Sequence, residues 1–207
     1  MKRAWASSKS NIYWVGTNGS ITHYDGKNFR LVESNTNYPL KSITGSLNGM
    51  LYISGTDSFT GETVLLAGNA QTSFTILNDL SFNTNQPVYS VLLTTPDHLL
   101  IGSYDRTLNF ELATSKPLAP SLIGAYLFPG VNKVTFLTGS IDGTYFFYSS
   151  GRQLLHFNGN TFSSMTFETN VFIETIHQRK ERIILVGYRY NGPIDYFSYC
   201  AIGTRSK

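Results

Sequence analysis

The sequence predicts an all-β fold built from repeated, four-stranded antiparallel units. Aromatic residues make up 14% of the 207 residues and there are 18 glycines, a mixture that suits half-buried strands joined by tight turns. Charged residues make up only 14% of the chain, which disfavours intrinsic disorder and coiled coil. Apolar residues nowhere keep a long helical spacing, because glycines and strand-type alternation interrupt it.

An apolar strand that ends in a small residue recurs along the chain. Its copies end 39, 47, 47 and 38 residues apart, the repeat length of a four-stranded propeller blade. Another short strand precedes each copy. Asn48-Gly49 and Asp142-Gly143 lie between two such strand pairs, where they tolerate the positive φ of a two-residue hairpin turn. The five copies are IYWVG at 12–16, LYISG at 51–55, HLLIG at 98–102, YFFYS at 145–149 and IILVG at 183–187.

The remainder of each unit supplies further strands. SITHYDG, ETVLLAG, TLNFELA and RQLLHFNG are predicted third strands, and NFRLVES, TSFTILND and TFSSMTFET are predicted fourth strands. Residues 1–207 are therefore predicted to form one β-propeller domain of about five blades, with an incomplete last blade. The alternative is the C-terminal part of a larger propeller. The predicted blades cover approximately residues 3–34, 41–79, 88–116, 132–169 and 171–204.

Charge and cysteine content exclude several classes of function. The net charge is +3 and the basic residues are scattered, so we expect no nucleic-acid partner. Cys200 is the only cysteine, which excludes an intrachain disulfide, and we expect it to be a buried small hydrophobe. No apolar run approaches the roughly 18 residues of a transmembrane helix. The first residues lack the apolar stretch of a signal peptide.

The histidines do not predict a metal site. His23 and His156 occupy equivalent places, because residues 21–29 and 154–162 are similar segments 133 residues apart. Equivalent positions in separate blades lie apart around a ring, whereas a metal needs three or more converging ligands. We therefore expect both histidines to fix a hairpin by bonding the neighbouring backbone. His98 and His177 are expected at the surface or in turns. The sequence indicates no metal, no cofactor and no catalytic residues.

Residues 4–29 carry a family resemblance. AWASSKSNIYWVGTNGSITHYDGKNF resembles the repeat W-x-x-S-x-x-x-[IV]-[WY]-x-V-G-x-x-G-x-I-x-H-Y-D-G of bacterial propeller proteins, found in surface lipoproteins and in the periplasmic propellers of sensor kinases. The match is fair over residues 145–162 and reduces to a strand skeleton elsewhere. The resemblance implies an extracytoplasmic propeller, in the periplasm or at the cell surface, with a cytoplasmic location as the alternative. It implies no catalytic residue set. The second and third units lack the H-Y-D-G turn, which argues against one ligand site per blade.

The loops between second and third strands are the candidate binding surface. In propellers these loops share one face with the connections between blades, and Tyr, Arg, Asn and Asp are typical of polar recognition surfaces. The loops are Thr17-Asn18-Gly19, Asp57-Ser58-Phe59, Tyr104-Asp105-Arg106, Ser150-Gly151-Arg152 and Arg189-Tyr190-Asn191. The candidate ligand-binding residues are Tyr104, Asp105, Arg106, Arg152, Arg189 and Tyr190.

These observations leave three functional hypotheses open. The first is a non-catalytic binding module for a protein or glycan partner, and the second is a carbohydrate-binding lectin. The third, a hydrolase or lyase, requires titratable groups clustered at the mouth of the axial channel. A lectin with one sugar subsite per blade requires equivalent loop residues in every blade. The first and third hypotheses do not require them.

Ring closure makes two further predictions. Gly16, Gly55, Gly102 and Gly187 end the second strands, where a side chain would crowd the neighbouring blade. If five blades close, Trp5 and Trp14 should contact apolar residues of the 171–202 segment and the chain should be a monomer. If the ring stays open, both terminal blades expose an apolar face, and such faces favour association.

Overall fold

The computed structural model of the chain describes residues 2–46, 48–57, 59–77, 88–95, 98–103, 106–111, 121–127, 134–139, 144–149, 153–158, 161–179, 182–192 and 195–204. Within these ranges the secondary structure consists of β-strands and turns, with no helix. No helix in this part of the chain is therefore long and apolar enough to cross a membrane. The predicted all-β class is confirmed.

The described strands form four four-stranded sheets and one three-stranded sheet, all antiparallel and each ordered as in the chain. The first blade contains β1 (Arg3–Ser8), β2 (Asn11–Val15), β3 (Ile21–Tyr24) and β4 (Phe29–Val32), and the second β5 (Leu40–Gly45), β6 (Leu51–Thr56), β7 (Thr63–Asn69) and β8 (Ser73–Ile76). The third contains β9 (Ser90–Thr95), β10 (His98–Gly102), β11 (Arg106–Glu111) and β12 (Ser121–Leu127), and the fourth β13 (Val134–Gly139), β14 (Tyr145–Ser149), β15 (Gln153–Phe157) and β16 (Phe162–Thr166). The last contains β17 (Val171–Arg179), β18 (Arg182–Tyr190) and β19 (Tyr196–Thr204).

The hydrophobic core is divided into four layers, one between each pair of consecutive blades. Strand β10 shows how one strand serves two layers. Leu99 and Ile101 pack towards the second blade, whereas Leu100 between them packs towards the fourth. Because successive side chains of a strand point to opposite faces, a blade enclosed on both sides needs apolar residues at consecutive positions. This explains the continuous apolar runs of the second strands.

The first strands of the blades lie innermost and surround one axial cavity. Their inner edges have no strand neighbour, and side-chain hydroxyls of the preceding blade bind some of the backbone amides. Ser42 Oγ accepts from the Val91 amide at 3.1 Å, and Thr44 Oγ1 accepts from the Leu93 amide at 3.0 Å. The serine and threonine residues of the first strands therefore hold successive blades together, since a buried amide without a partner is costly.

Asx turns close the hairpins between third and fourth strands in three blades. Asp25 Oδ1 accepts from the Lys27 and Asn28 amides at 2.8 Å, and these bonds lower the pKa of the Asp25 carboxyl. Asn158 Oδ1 accepts from the Thr161 amide at the equivalent place. In the second blade, which lacks the H-Y-D-G motif, Asn69 Oδ1 accepts from the two amides at 71 and 72. The turn therefore persists where the motif is lost, because Asn supplies the same acceptor.

The strand bounds correct the sequence prediction in the third blade. Its fourth strand is β12, which lies outside the predicted span of 88–116. The sequence SLIGAYL carries a glycine at its centre and pairs with β11 across a register shift, so its alternation is weak. Strand β11 nevertheless pairs with it at six positions. The last blade lacks a fourth strand within the described residues, as predicted.

Cys200 and Trp5 lie elsewhere than expected. Cys200 is exposed on β19, and the prediction of a buried cysteine was wrong because its side of the sheet has no neighbouring blade. Trp5 packs into the core layer between the first two blades, so it does not mark the seam with segment 171–202. Trp14 lies on the opposite side of the first blade, with its ring centroid 5.8 Å from that of Phe29.

The glycine prediction is confirmed at Gly102. A Cβ there would collide with Ser90 Oγ and lie 3.0 Å from the Val134 side chain of the next blade. At Gly55 and Gly187 the groups that a Cβ would meet belong to the same blade, namely Val64 and Leu40, and the Phe172 carbonyl. These two glycines allow close approach within a sheet rather than between sheets.

Candidate functional site

The antiparallel topology sorts the connections onto two opposite faces of the ring. The loops between second and third strands and the connections between blades share one face, which we call the loop face. Its described segments are 16–20, 33–39, 57, 59–62, 77, 88–89, 103, 167–170, 191–192 and 195. Backbone bonds tie these segments together: the Gly19 amide donates to the Tyr38 carbonyl and the Leu40 amide to the Gly16 carbonyl. The loop face is therefore a continuous, backbone-bonded surface in the first two blades.

The axial cavity has a volume of about 530 Å³ and is lined by all five innermost strands. Its charged or titratable lining side chains are Arg3, Lys41 and His177. The hydroxyls of serines and threonines and the Gln178 amide complete the polar lining. None of the described lining residues is Asp or Glu. The lining of the cavity is thus mixed, with polar and apolar side chains in similar proportion, and its two permanently charged side chains, Arg3 and Lys41, are cationic.

Arg3 spans the hub near the loop-face end of β1. Its Nη2 donates to the Glu174 carbonyl at 2.9 Å, and its Cζ lies 4.5 Å from the centroid of the Phe136 ring. Burial lowers the pKa of the Arg3 guanidinium, and the Glu174 carboxylate opposes this effect. The guanidinium remains charged near neutral pH, as arginine does in proteins. Arg3 therefore joins the first and last blades and places a positive charge in the cavity.

Lys41 lies at a β-bulge near the loop-face end of β5. The register shift falls between Leu40 and Ser42, and equivalent shifts occur in the first strands of the fourth and last blades. Burial lowers the pKa of the Lys41 ammonium, whereas Asp57 raises it. Its Nζ lies 6.0 Å from the centroid of the Tyr89 ring. Bulges re-aim side chains next to functional sites, and this one brings a lysine to the cavity lining.

A polar group on the loop face supports the second blade. Tyr38 Oη donates to Glu62 Oε2 at 2.5 Å, which raises the pKa of the tyrosine hydroxyl. Asp57 Oδ1 accepts from the Phe59 and Thr60 amides at 2.7 and 3.0 Å, and these bonds lower the pKa of its carboxyl. Asp57 is therefore engaged in shaping its own loop. Phe59 in the same loop is fully exposed.

A second cavity, of about 450 Å³, lies beside the first blade at the loop face. Its lining comes from the loop at 18–20, strand β4 and the connection at 33–37. Gly19 has φ of +65°, and a Cβ there would collide with the Thr36 carbonyl. The glycine is therefore required for loop and connection to lie this close together. Glu33 is the charged residue in this lining, which otherwise consists of amides, hydroxyls and aliphatic side chains.

Two of the six predicted ligand-binding residues can be located in full. Arg189 and Tyr190 end strand β18 at the loop face. Arg189 Nη2 donates to Glu168 Oε2 at 2.6 Å, so its charge is already paired with a connection between blades. The Tyr190 ring packs beside Phe172 and Tyr196. Arg106 begins β11, where the backbone alone is described, and Tyr104, Asp105 and Arg152 lie outside the described residues.

His23 and His156 occupy equivalent framework positions. Each imidazole stacks on the aromatic residue opposite it in the second strand, with centroids 4.2 Å apart for Tyr13 and 4.4 Å for Phe146. Arg30 Nε donates to His23 Nδ1, so His23 Nε2 donates to Asn11 Oδ1 at 2.8 Å. The structural role was predicted, but the partners of His23 in these bonds are side chains rather than the backbone. His177 is exposed, as predicted, and lies on the innermost strand β17 rather than in a turn.

Sequence reasoning did not single out Arg3 and Lys41. Both lie at the start of first strands, where the alternation that marks apolar core positions has not begun. Their place in the pairing of first and second strands could have marked them. Each is a basic residue of a first strand, close to the position opposite the small residue that ends the second strand. No group of three or more His, Cys, Asp or Glu side chains arranged to hold a metal occurs in the described part of the chain.

Solved structures similar to this chain are propellers. A YCF48 structure bound to a D1 peptide has a TM-score of 0.62 and 12% identity, and the match covers 90% of this chain and 59% of that one. The WD40 propeller domain of Doa1 has a TM-score of 0.63 and 11% identity, with 89% and 60% covered. The chain has the β-propeller fold.

A third similar structure is that of a COPII outer coat vertex on membranes. Its TM-score is 0.67 at 11% identity, with 97% of this chain and 56% of that chain covered. This chain thus spans about three fifths of the length of each of these three structures. No protein-family model and no curated protein sequence matches it. At these identities the likeness establishes the fold.

Proposed function

We propose that this propeller is a non-catalytic binding module that takes a protein or peptide partner on its loop face, over the axial cavity. The observation that carries the proposal is the axial cavity itself. All five innermost strands contribute polar or cationic side chains to it, although a hub could be filled with apolar ones. The similar YCF48 structure holds a peptide, which supports a partner of this class.

The loop face suits such a partner for a physical reason. Its described loops are held by backbone bonds and by Asx turns, so they lose little conformational entropy on binding. Exposed Phe59 and half-exposed Tyr190 supply aromatic anchors, which are enriched at protein interfaces. We further propose an extracytoplasmic role among bacterial repeat propellers, which the resemblance of residues 4–29 supports.

A random-peptide display library selected on the full chain tests the proposed function. We expect selected peptides to bind wild type and to lose binding when the loop face is obstructed by Thr17→Trp. Thr72→Trp is the matched control, because Thr72 is an equally exposed threonine in the Asx turn on the opposite face. Peptides that bind both variants equally, or that lose binding only to Thr72→Trp, would contradict the proposal.

A further inference from the structure

The axial cavity has an excess of positive charge. Arg3 and Lys41 line it together with His177, and no carboxylate belongs to the described lining. Among the described residues, neither Arg3 nor Lys41 forms an ion pair within 4 Å. The guanidinium of Arg3 is directed at backbone carbonyls, and the ammonium of Lys41 lies beside an aromatic ring. Within the described part of the chain, both charges therefore lack a contacting counter-ion.

The nearest acidic groups are occupied or exposed. Asp57 accepts two amides of its own loop, and Glu174 contacts Arg3 through its backbone carbonyl while the residue is exposed. Partial burial lowers the pKa of Arg3 and of Lys41, and the carboxylates of Glu174 and Asp57 oppose this effect. Arg3 and Lys41 are half-buried. Withdrawing a charge partly from water without a partner is costly, and an incoming anion would reduce that cost.

The remaining lining can bind the oxygen atoms of an anion. Thr44 and Thr138 hydroxyl oxygens accept backbone amides, and each hydroxyl can still donate its proton. The cavity volume of about 530 Å³ accommodates one or two amino-acid side chains with water. The partner group must therefore be small and oxygen-rich.

We propose that the axial cavity binds a carboxylate of the peptide partner, with Arg3 and Lys41 as its charged ligands. This rests on the proposed binding function and specifies the chemistry that it recognises. The carboxylate could come from an acidic side chain or from a chain terminus. Both sources present the same two oxygen atoms to the cations.

Blocked hexaglutamate, blocked hexaglutamine and hexa-alanine with a free C-terminus are the probes, titrated into the full chain. The readouts are calorimetry and the fluorescence of Trp5 in a Trp14→Phe background, since Trp5 lines the cavity. We expect hexaglutamate to bind, more weakly as salt increases, and hexaglutamine not to bind. Binding of hexa-alanine instead would assign the site to a terminal carboxylate. If neither hexaglutamate nor hexa-alanine binds, or if hexaglutamine binds as tightly as hexaglutamate, the proposal is overturned.

Variants separate this proposal from the proposed function. We expect Lys41→Met to weaken binding of the acidic probe about tenfold or more, and Lys41→Arg to restore most of it. Arg3→Met should act likewise, and exposed Lys9→Met on the opposite face is the control. If Lys41→Met leaves acidic binding unchanged, the carboxylate proposal is wrong. If display-selected peptides nevertheless bind the loop face, the proposed binding function stands and only the carboxylate proposal is rejected.

Discussion

The second and last blades use similar apolar strands in different surroundings. Strand β6 is buried at all six positions, whereas in β18 only Ile183 and Leu185 are buried and the other seven positions are half-buried or exposed. The second blade has a core layer on both sides, and the last blade has one only on the side of the fourth blade. Val186, Tyr196 and Ile202 consequently remain exposed on its other side.

This difference shows that position in the ring, rather than local sequence, decides burial. LYISGT and RIILVGYRY are both apolar runs with a glycine near the end. A strand gains hydrophobic stabilisation only where a neighbouring blade removes its side chains from water. The same substitution should therefore have different effects in the two blades.

The largest expected effect comes from truncating an enclosed strand. Ile53 is 0% exposed and Ile202 is 67% exposed. We expect Ile53→Ala to lower the free energy of unfolding by about 2–5 kcal/mol, because it leaves a cavity between two sheets. Ile202→Ala should change it by less than about 0.5 kcal/mol. Urea unfolding of both variants measures the difference, and equal losses would contradict the assignment of enclosed and open blades.

The next effect comes from adding atoms between blades. We expect Gly102→Val to lower the free energy of unfolding by about 1–3 kcal/mol, because its side chain would press Ser90 and Val134 apart. Gly192→Val in the last blade is the control, since a Cβ at Gly192 meets no atom within 4 Å. A melting temperature unchanged by Gly102→Val would show that the third and fourth blades pack differently.

Much of the fold could be predicted from the sequence because repetition is encoded locally. Apolar strands, hairpin dipeptides and the recurring small residue define blades without knowledge of their packing. Burial in the terminal blades could not be predicted, because the residues next to Cys200 in the sequence are those of a core strand. Strand β12 was missed because a glycine stands at the centre of SLIGAYL and weakens its strand pattern.

The candidate site was less predictable than the fold. Loop residues such as Arg189 were chosen by type, yet Arg189 is paired with Glu168, a relation that depends on the path of a connection. Lys41 and Arg3 are separated by 38 positions in the chain and meet the same cavity only through ring geometry. Patterns within single units do not contain that information.

A pH-dependent effect sharpens the comparison within the first blade, whose enclosed side carries His23. Burial and the neighbouring Arg30 lower the pKa of His23 in the folded state, and Asp25 opposes them. The unfolded chain titrates near the ordinary histidine value of about 6.5. As the pH falls through that value, the unfolded chain binds a proton that the folded chain does not, so stability is lost.

We therefore expect the melting temperature to fall between pH 7.5 and pH 5.0, and to fall less in His23→Gln. The two pH values lie about one unit or more above and below the histidine pKa of the unfolded chain. An unchanged dependence in His23→Gln would place the titrating group elsewhere.

The smallest effect on stability is expected at the outer edge of the last blade. Strand β19 is nine residues long, contains no charged residue or proline, and has one strand neighbour among the described residues. Such an edge is a template for pairing with another chain, and a lysine is the usual device that prevents it.

Ile202→Lys should leave the free energy of unfolding within about 0.5 kcal/mol of wild type. Light scattering across a concentration series should show less self-association than wild type. Leu31→Lys, at an 81% exposed position on the short, charge-bearing strand β4, is the matched control and should reduce association less. If Ile202→Lys unfolds the protein instead, the exposed side of the last blade is covered, and the contrast with the second blade disappears.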